Sequence, residues 1–336
     1  MRNQVDNFRR EPGRRKMLLL LMLPLAALAL ALGGYLETRG QMQERCDVAE
    51  DIGQYKSLVY QGTTYVQKTA VETYLLMGVD TSAQDTAFGA RRGGQADFFL
   101  LLTIDHANRT IYQLQLDRDT MAEVQVYGVL GNRVGAKRMQ LCLSHGFGST
   151  AQENNRNAID AVCTLLNGIP VDQYITFHLE AIGVLNDALG GVTVTLEDDF
   201  TDYDPEMTDG ETLRLNAAQA EIFTRYRMEV GDGSNESRMA RQRVFLCAAS
   251  GLLKERMKER PGFIGELYDD CADVMTTNST KGQMIHDINM AYSYVVQPVE
   301  TLPGEHWIDD AGFMAFTVQE GAVMQWVLRV YYQPAG

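Results

Sequence analysis

The sequence predicts an α/β or α+β sandwich with a covered central sheet, and three observations carry that expectation. Two near-continuous apolar runs, Thr73–Val79 (TYLLMGV) and Phe98–Ile104 (FFLLLTI), read as strands buried on both faces. After them, strand-like and helix-like stretches interleave, as layers of helix on sheet require. The composition, 45% hydrophobic and 22% charged over 336 residues, is that of a globular chain with a substantial core. No internal repeat and no low-complexity linker appears, so residues 70–336 read as one domain.

In order, the chain opens with a basic tail, residues 1–16, holding Arg2, Arg9, Arg10, Arg14, Arg15 and Lys16. Met17–Leu36 follows, twenty residues without a charge, long enough to cross a bilayer as a helix. The positive flank places the tail in the cytoplasm and Gln41 onward outside, as a single-pass membrane protein. The other reading is a cleaved signal peptide, with A-x-A sites at Ala27, Ala29 and Ala31. Residues 37–69 read as a polar, irregular stalk with at most a short helix.

Beyond the two apolar runs, Thr110–Leu116 is a third strand, joined to the second through a DHANR turn. Ala151–Leu166 has helical periodicity and stops at Gly168. A strand at Gln173–Phe177, a helix at Glu180–Leu189 and a strand at VTVTL come next. Helices are predicted around 237–259 and 280–292 with a shorter one between. Val295–Leu302 reads as a strand, and Met314–Val330 as a mixed end. The net charge is −14. Six of the 30 basic residues and two of the 44 acidic ones lie in the first 16, so the remainder carries −18. A body so acidic excludes nucleic-acid binding through bulk charge. Five cysteines cannot all pair, no CxxC or Cys/His metal spacing occurs, and no disulfide is assigned. Cys163 and Cys247 lie in apolar helical patterns and read as small core residues.

Chemistry-bearing residues gather at predicted strand ends. Asp80 ends the first strand and Asp97 precedes the second; together they could share one hard cation through oxygen ligands. Asp80 could equally cap its turn. Arg118, flanked by Asp117 and Asp119, follows the third strand, either as a self-satisfied surface cluster or as a charged unit beside a phosphate. His145 has no triad partner and reads as structural or exposed.

Asn216–Leu246 holds Arg225, Arg227, Arg238, Arg241 and Arg243. A helix capped by Asn216 is expected from about Ala217 to Thr224, then extended chain, which puts Arg225 and Arg227 on one face. A second helix from near Ser237 puts Arg238, Arg241 and Gln242 at i, i+3 and i+4. If the MEVGDGSNE loop brings the pairs together, four guanidiniums converge, and a diphosphate suits such forked donors. The alternative is surface arginines paired with Glu229, Asp232 and Glu236.

In order, LLMGVD, LDRDT, IPVDQYITFHLEAIGVLNDALGGV, and RYR followed by RMARQRVFL resemble the LytR–CpsA–Psr family, over about Thr73 to Arg256 and with the single amino-terminal anchor. The resemblance implies an α/β/α sandwich around a central mixed sheet, preceded by one transmembrane helix. It implies a membrane-anchored phosphotransferase that moves a glycopolymer, such as teichoic acid or capsular polysaccharide, from a polyprenyl diphosphate carrier to peptidoglycan. A greasy pocket between sheet and helices would hold the polyprenyl tail. Matched residue by residue, Asp80 and Asp97 resemble the carboxylates that hold a divalent cation, Mg²⁺ or Mn²⁺. Arg118 and Asp119 resemble the RD pair, with Asp119 or Asp97 as proton acceptor. Arg138 aligns with a basic residue that is usually lysine. Arg225 and Arg227 resemble the phosphate-holding R-x-R, and Arg238, Arg241 and Gln242 the R-x-x-R-Q. The chain departs from the pattern at Gln95, usually arginine with Arg91 and Arg92 nearby, at Asp117, usually proline, and at Asn235, usually aspartate. A hydrolase using the same site with water, and a non-catalytic binding protein for lipid-linked wall precursors, are the competing readings.

Overall fold

The computed structural model describes residues 57–83, 94–127 and 132–335. The basic tail, the apolar segment Met17–Leu36, Cys46, Arg91 and Arg92 lie outside the described residues. Among those described, no helix is long and apolar enough to cross a membrane.

A hairpin, β1 (Ser57–Tyr60) and β2 (Thr63–Gln67), leads into β3 (Val71–Val79), β4 (Ala96–Asp105) and β5 (Thr110–Leu116). A second hairpin, β6 (Met121–Tyr127) and β7 (Arg133–Gln140), precedes a 3₁₀ turn at Leu141–Gly146 and helix α1 (Ala151–Leu165). Then come β8 (Gln173–Phe177), α2 (Ala181–Leu189), β9 (Thr193–Thr195) and β10 (Thr212–Arg214). Helices α3 (Ala217–Arg225), α4 (Asn235–Glu259) and α5 (Phe263–Cys271) follow, then β11 (Met275–Thr277), α6 (Lys281–Ala291) and β12 (Val295–Thr301). The chain closes with the hairpin β13 (Gly304–Ile308) and β14 (Met314–Val318), helix α7 (Ala322–Tyr331) and β15 (Tyr332–Pro334).

The central sheet has the order β11-β8-β3-β4-β5-β12. It is mixed: β3 pairs antiparallel with β4 and parallel with β8, and β5 pairs antiparallel with β4 and parallel with β12. Alternation sorts the apolar runs into two faces. Leu75, Met77, Phe99, Leu101 and Leu114 are fully buried against Ala158, Ala161 and Val162 of α1 and Trp326 and Val330 of α7. The opposite face carries Tyr74, Leu76, Leu102 and Ile104, packed with Ala291 of α6 and Tyr294. That face is only half closed: Leu76, Phe98, Leu102, Ile175 and Phe177 remain partly exposed, where the sequence suggests burial on both sides. A separate core, with Val192, Leu196, Phe200, Phe223, Phe245 and Phe263, binds α2 through α5 to the β9–β10 ribbon.

Three local expectations need correction. Ser57–Gln67, read from sequence as irregular stalk, forms a hairpin that pairs with β15 at the far end of the chain. Its partner is 265 residues away, which no local pattern discloses. Cys247 is exposed on α4, because that helix turns a neighbouring face, bearing Phe245, into the core. The second helix of the arginine stretch starts at Asn235 rather than Ser237, since Ser234 accepts the Ser237 N–H at 3.1 Å as its cap. Cys142, Cys247 and Cys271 are free thiols.

Candidate active site

The carboxyl end of β3, the amino end of β4 and the carboxyl end of β5 lie at one end of the sheet, and each delivers charged groups there. Asp80 follows β3. Its Oδ1 accepts the Gln95 N–H at 2.5 Å, while its own N–H donates to the Gln95 carbonyl at 3.0 Å. Gly94 makes this turn possible: its φ is +77°, and a Cβ there would stand 2.8 Å from Asp80 Oδ1. Asp80 is exposed on one side, yet the protein wall on the other and the nearby Asp97 raise its carboxyl above the usual range.

Asp97 is the second residue of β4, inside the strand rather than before it. One oxygen receives Arg118 Nη1 and the other receives Arg238 Nη1 at 3.4 Å. Arg118, just past β5, also donates to Gln95 Oε1 at 2.5 Å and to Cys142 Sγ at 3.1 Å. Its Nε lies 3.4 Å from Asp119 Oδ1. Burial alone would lower the Arg118 pKa, but Cys142, Asp97 and Asp119 outweigh it and raise the value. Burial pushes the Cys142 thiol up to about 11, against the pull of Arg118. Burial, then Asp117, raises the Asp119 carboxyl, against the pull of Arg118, Arg227 and Arg238. Arg238 is 4% exposed and its pKa is lowered by burial and by Arg118 and Arg227, with Asp97 opposing.

The arginine stretch divides. Helix α3 runs Ala217–Arg225 with a reciprocal Asn216–Gln219 cap, and Tyr226 is extended, so the change from helix to strand-like chain falls where the sequence indicates. Arg227 lies within electrostatic reach of Asp119 and Arg238, and its guanidinium makes no hydrogen bond to the described residues. Arg225 instead pairs with Glu221 one turn back. Arg241 is turned away from the cluster: it pairs with Asp198 at 2.9 Å, donates to the carbonyls of Phe223 at 3.1 Å and of Tyr226, and covers the Phe200 ring. Gln242 accepts from Gln115 at 2.9 Å and donates to the Thr224 carbonyl at 3.2 Å. Arg241 and Gln242 thus fasten the end of α3 that carries the R-x-R, and neither reaches Asp97. Arg138 sits exposed on β7, with no hydrogen bond or ion pair to the described residues. The surface pairing with Glu229, Asp232 and Glu236 is not what forms; Asp232 caps Ser234 and Ser237.

Arg118, Arg227 and Arg238 therefore converge with Asp97 and Asp119 at a sheet end, with Asp80 beside them. Three buried atoms of this group have no hydrogen-bond partner: Arg118 Nε, Arg238 Nε and Asp119 Oδ2. Buried polar atoms without partners are costly; the two donors, Arg118 Nε and Arg238 Nε, could meet a ligand's oxygens, and Asp119 Oδ2 could accept a proton. Sequence reasoning missed two members of the network. Cys142 reads as an ordinary apolar position, and His306, 2.9 Å from Asp117, lies 189 residues from its partner. His145 is buried on Asn155 and serves the scaffold.

These features define an α/β protein with a cluster of arginines and carboxylates at one end of a mixed sheet. The chain belongs to the LytR_cpsA_psr family, whose sequence model matches residues 40–324. It is 30% identical over 176 residues to Biofilm regulatory protein A of Streptococcus mutans, covering 50% of this chain and 41% of that one. It is 24% identical over 244 residues to polyisoprenyl-teichoic acid--peptidoglycan teichoic acid transferase TagU of Bacillus anthracis, covering 71% of each. The crystal structure of protein gbs0355 from Streptococcus agalactiae shares the fold, with a TM-score of 0.62 and 21% identity, covering 79% of this chain and 90% of that one. The chain thus spans less than half the length of the first relative and about seven-tenths of the second.

Proposed function

We propose that the protein transfers a phosphoglycopolymer, a teichoic acid or a similar wall polysaccharide, from a polyprenyl diphosphate carrier to peptidoglycan. The observation that carries this reading is the set of partnerless buried atoms on Arg118, Arg238 and Asp119, with Arg227 beside them. The name of the TagU relative, a teichoic acid transferase, supports it. The half-open apolar face with Leu76, Phe98, Leu102, Ile175 and Phe177 suits a polyprenyl chain.

In the reaction an acceptor hydroxyl attacks the saccharide-bearing phosphorus. A new O–P bond forms, the bond to the bridging oxygen breaks, and polyprenyl phosphate leaves. Arg118, Arg227 and Arg238 oppose the charge that grows on the bridging and equatorial oxygens. Asp119 is the better proton acceptor: its Oδ2 is free, whereas both oxygens of Asp97 are held by arginines.

The donor set fits a hard cation in kind, since the adjacent Asp80 and Asp97 offer carboxylate oxygens and Asp97 raises Asp80. Asp80 and Asp97 would hold Mg²⁺ or Mn²⁺, which would add positive charge against the phosphate oxygens. Among the described residues no three His, Cys, Asp or Glu side chains form a metal cluster, so phosphate oxygens and water would complete the shell.

The test uses full-length protein in detergent with a polyprenyl diphosphate-linked saccharide and peptidoglycan fragments, with and without Mg²⁺, read by mass spectrometry. Expected is a saccharide phosphate joined to the glycan. Arg118→Ala and Arg227→Ala should each lose about 10²–10³-fold in rate, as removal of a charge-stabilising donor does. Cleavage with no polymer-linked product would mean a hydrolase, and binding without turnover a binding protein.

A further inference from the structure

Asp117 is 7% exposed, and its carboxylate is filled by donors from three elements. Oδ1 accepts the Asp119 N–H at 2.8 Å and Asn235 Nδ2 at 2.9 Å, and Oδ2 meets His306 Nε2 at 2.9 Å. Asn235, first residue of α4 and 4% exposed, accepts Arg238 Nη2 on its own Oδ1 at 2.6 Å. Arg238 in turn reaches Asp97. An unbroken series of contacts therefore joins β13 to the anion site: His306, Asp117, Asn235, Arg238, Asp97.

Position 235 suits an amide, which must donate toward Asp117 and accept from Arg238. An aspartate there would set two buried carboxylates at hydrogen-bond distance. Two of the positions where this chain departs from the motif pattern, 117 and 235, touch each other. In this chain a carboxylate at the β5 end faces both an amide on the helix and an imidazole from β13. His306 packs against Phe316 with tilted rings 4.7 Å apart and borders a cavity of about 200 Å³, whose lining includes the charged Asp117, Glu236 and Arg243.

We propose that Asp117, Asn235 and His306 are positioning residues for Arg238, so that the β13–β14 hairpin, outside the stretch that carries the motifs, belongs to the machinery holding the anion. This rests on the phosphate-site reading above. Arg238 is kept in place from behind by the Asn235 carbonyl and from in front by Asp97, and its Nε is left for the ligand.

The test is a double-mutant cycle in the full-length protein, titrated with inorganic pyrophosphate by calorimetry, with the thermal midpoint measured alongside. Asn235→Asp should weaken binding about tenfold, equivalent to about 1.4 kcal/mol. Asp117→Asn should also weaken it. The double variant Asp117→Asn/Asn235→Asp restores one donor facing one acceptor and should recover the wild-type range. His306→Gln, which keeps an amide donor, should hold affinity better than His306→Ala. Equal affinities across the set, whatever the midpoints do, would overturn the proposal and leave the phosphate site standing. A wild type that takes up no pyrophosphate would overturn the phosphate-site reading itself.

Discussion

Asp119 is the residue on which pH should act most directly. Burial and Asp117 raise its carboxyl, so it stays protonated to a higher pH than a solvated aspartate. A protonated Asp119 cannot accept the hydroxyl proton. Transfer should therefore fall on the acid side, with an inflection above the ordinary aspartate value of about 3.9. A pH–rate profile of kcat checks this; Asp119→Asn should remove most activity and leave no such limb. The placing of Asp80, Asp97, Arg118 and Asp119 at strand ends was legible in the sequence because they flank strong strand patterns. Cys142 and His306 were not, since a thiol or an imidazole acquires meaning here only from a guanidinium or carboxylate brought in by the fold.

At the scale of elements, helix α4 depends on its first turn. Ser234 caps it, and Asn235 and Arg238 stand directly behind that cap. Ser234→Ala should cost about 1 kcal/mol, the usual worth of such a cap, measured by chemical denaturation. It should also weaken pyrophosphate binding, because fraying the turn frees Arg238. Helices α1 to α4 and strands β3, β4, β5 and β8 follow patterns visible in sequence. The hairpins β6–β7 and β13–β14 do not. β7 (RVGAKRMQ) is exposed along most of its length and carries no apolar alternation, and Met314–Val318 merges in sequence with the helix after it. Arg241 and Gln242 show a different limit: spacing places them on one face of a helix with Arg238, but only packing decides that Arg241 faces Asp198 and the α3 carbonyls.

For the whole molecule, Lys68 joins the terminal sheet to the central one. Its ammonium pairs with the fully buried Asp105 at 2.9 Å and donates to the Val330 carbonyl at 2.8 Å. Burial alone would raise the Asp105 pKa, but the hydrogen bonds from Asn108 and Lys68 outweigh it and lower the value. The folded pKa lies below the unfolded one, so the stabilisation is present above about pH 4 and is lost as pH falls through the folded value. Lys68→Met leaves a buried carboxylate short of its counter-charge and should cost on the order of 3–5 kcal/mol. Its acid unfolding should begin at a higher pH than in the wild type, which thermal scans between pH 3 and 7 would resolve.

The terminal sheet also sets an order of events. Strand β2 pairs with β15, the Lys68 N–H donates to the Tyr331 carbonyl at 2.8 Å, and the Ala335 N–H donates to Thr64 at 2.8 Å. The first described strands thus wait for residues 331–335. At roughly 5–20 residues per second, a ribosome takes tens of seconds to make the intervening stretch. Throughout that time β2 has β1 on one side and an open edge on the other. Translation can finish the α2–α5 core while the chain is still growing; the clasp at Lys68 closes only after β15 has left the ribosome.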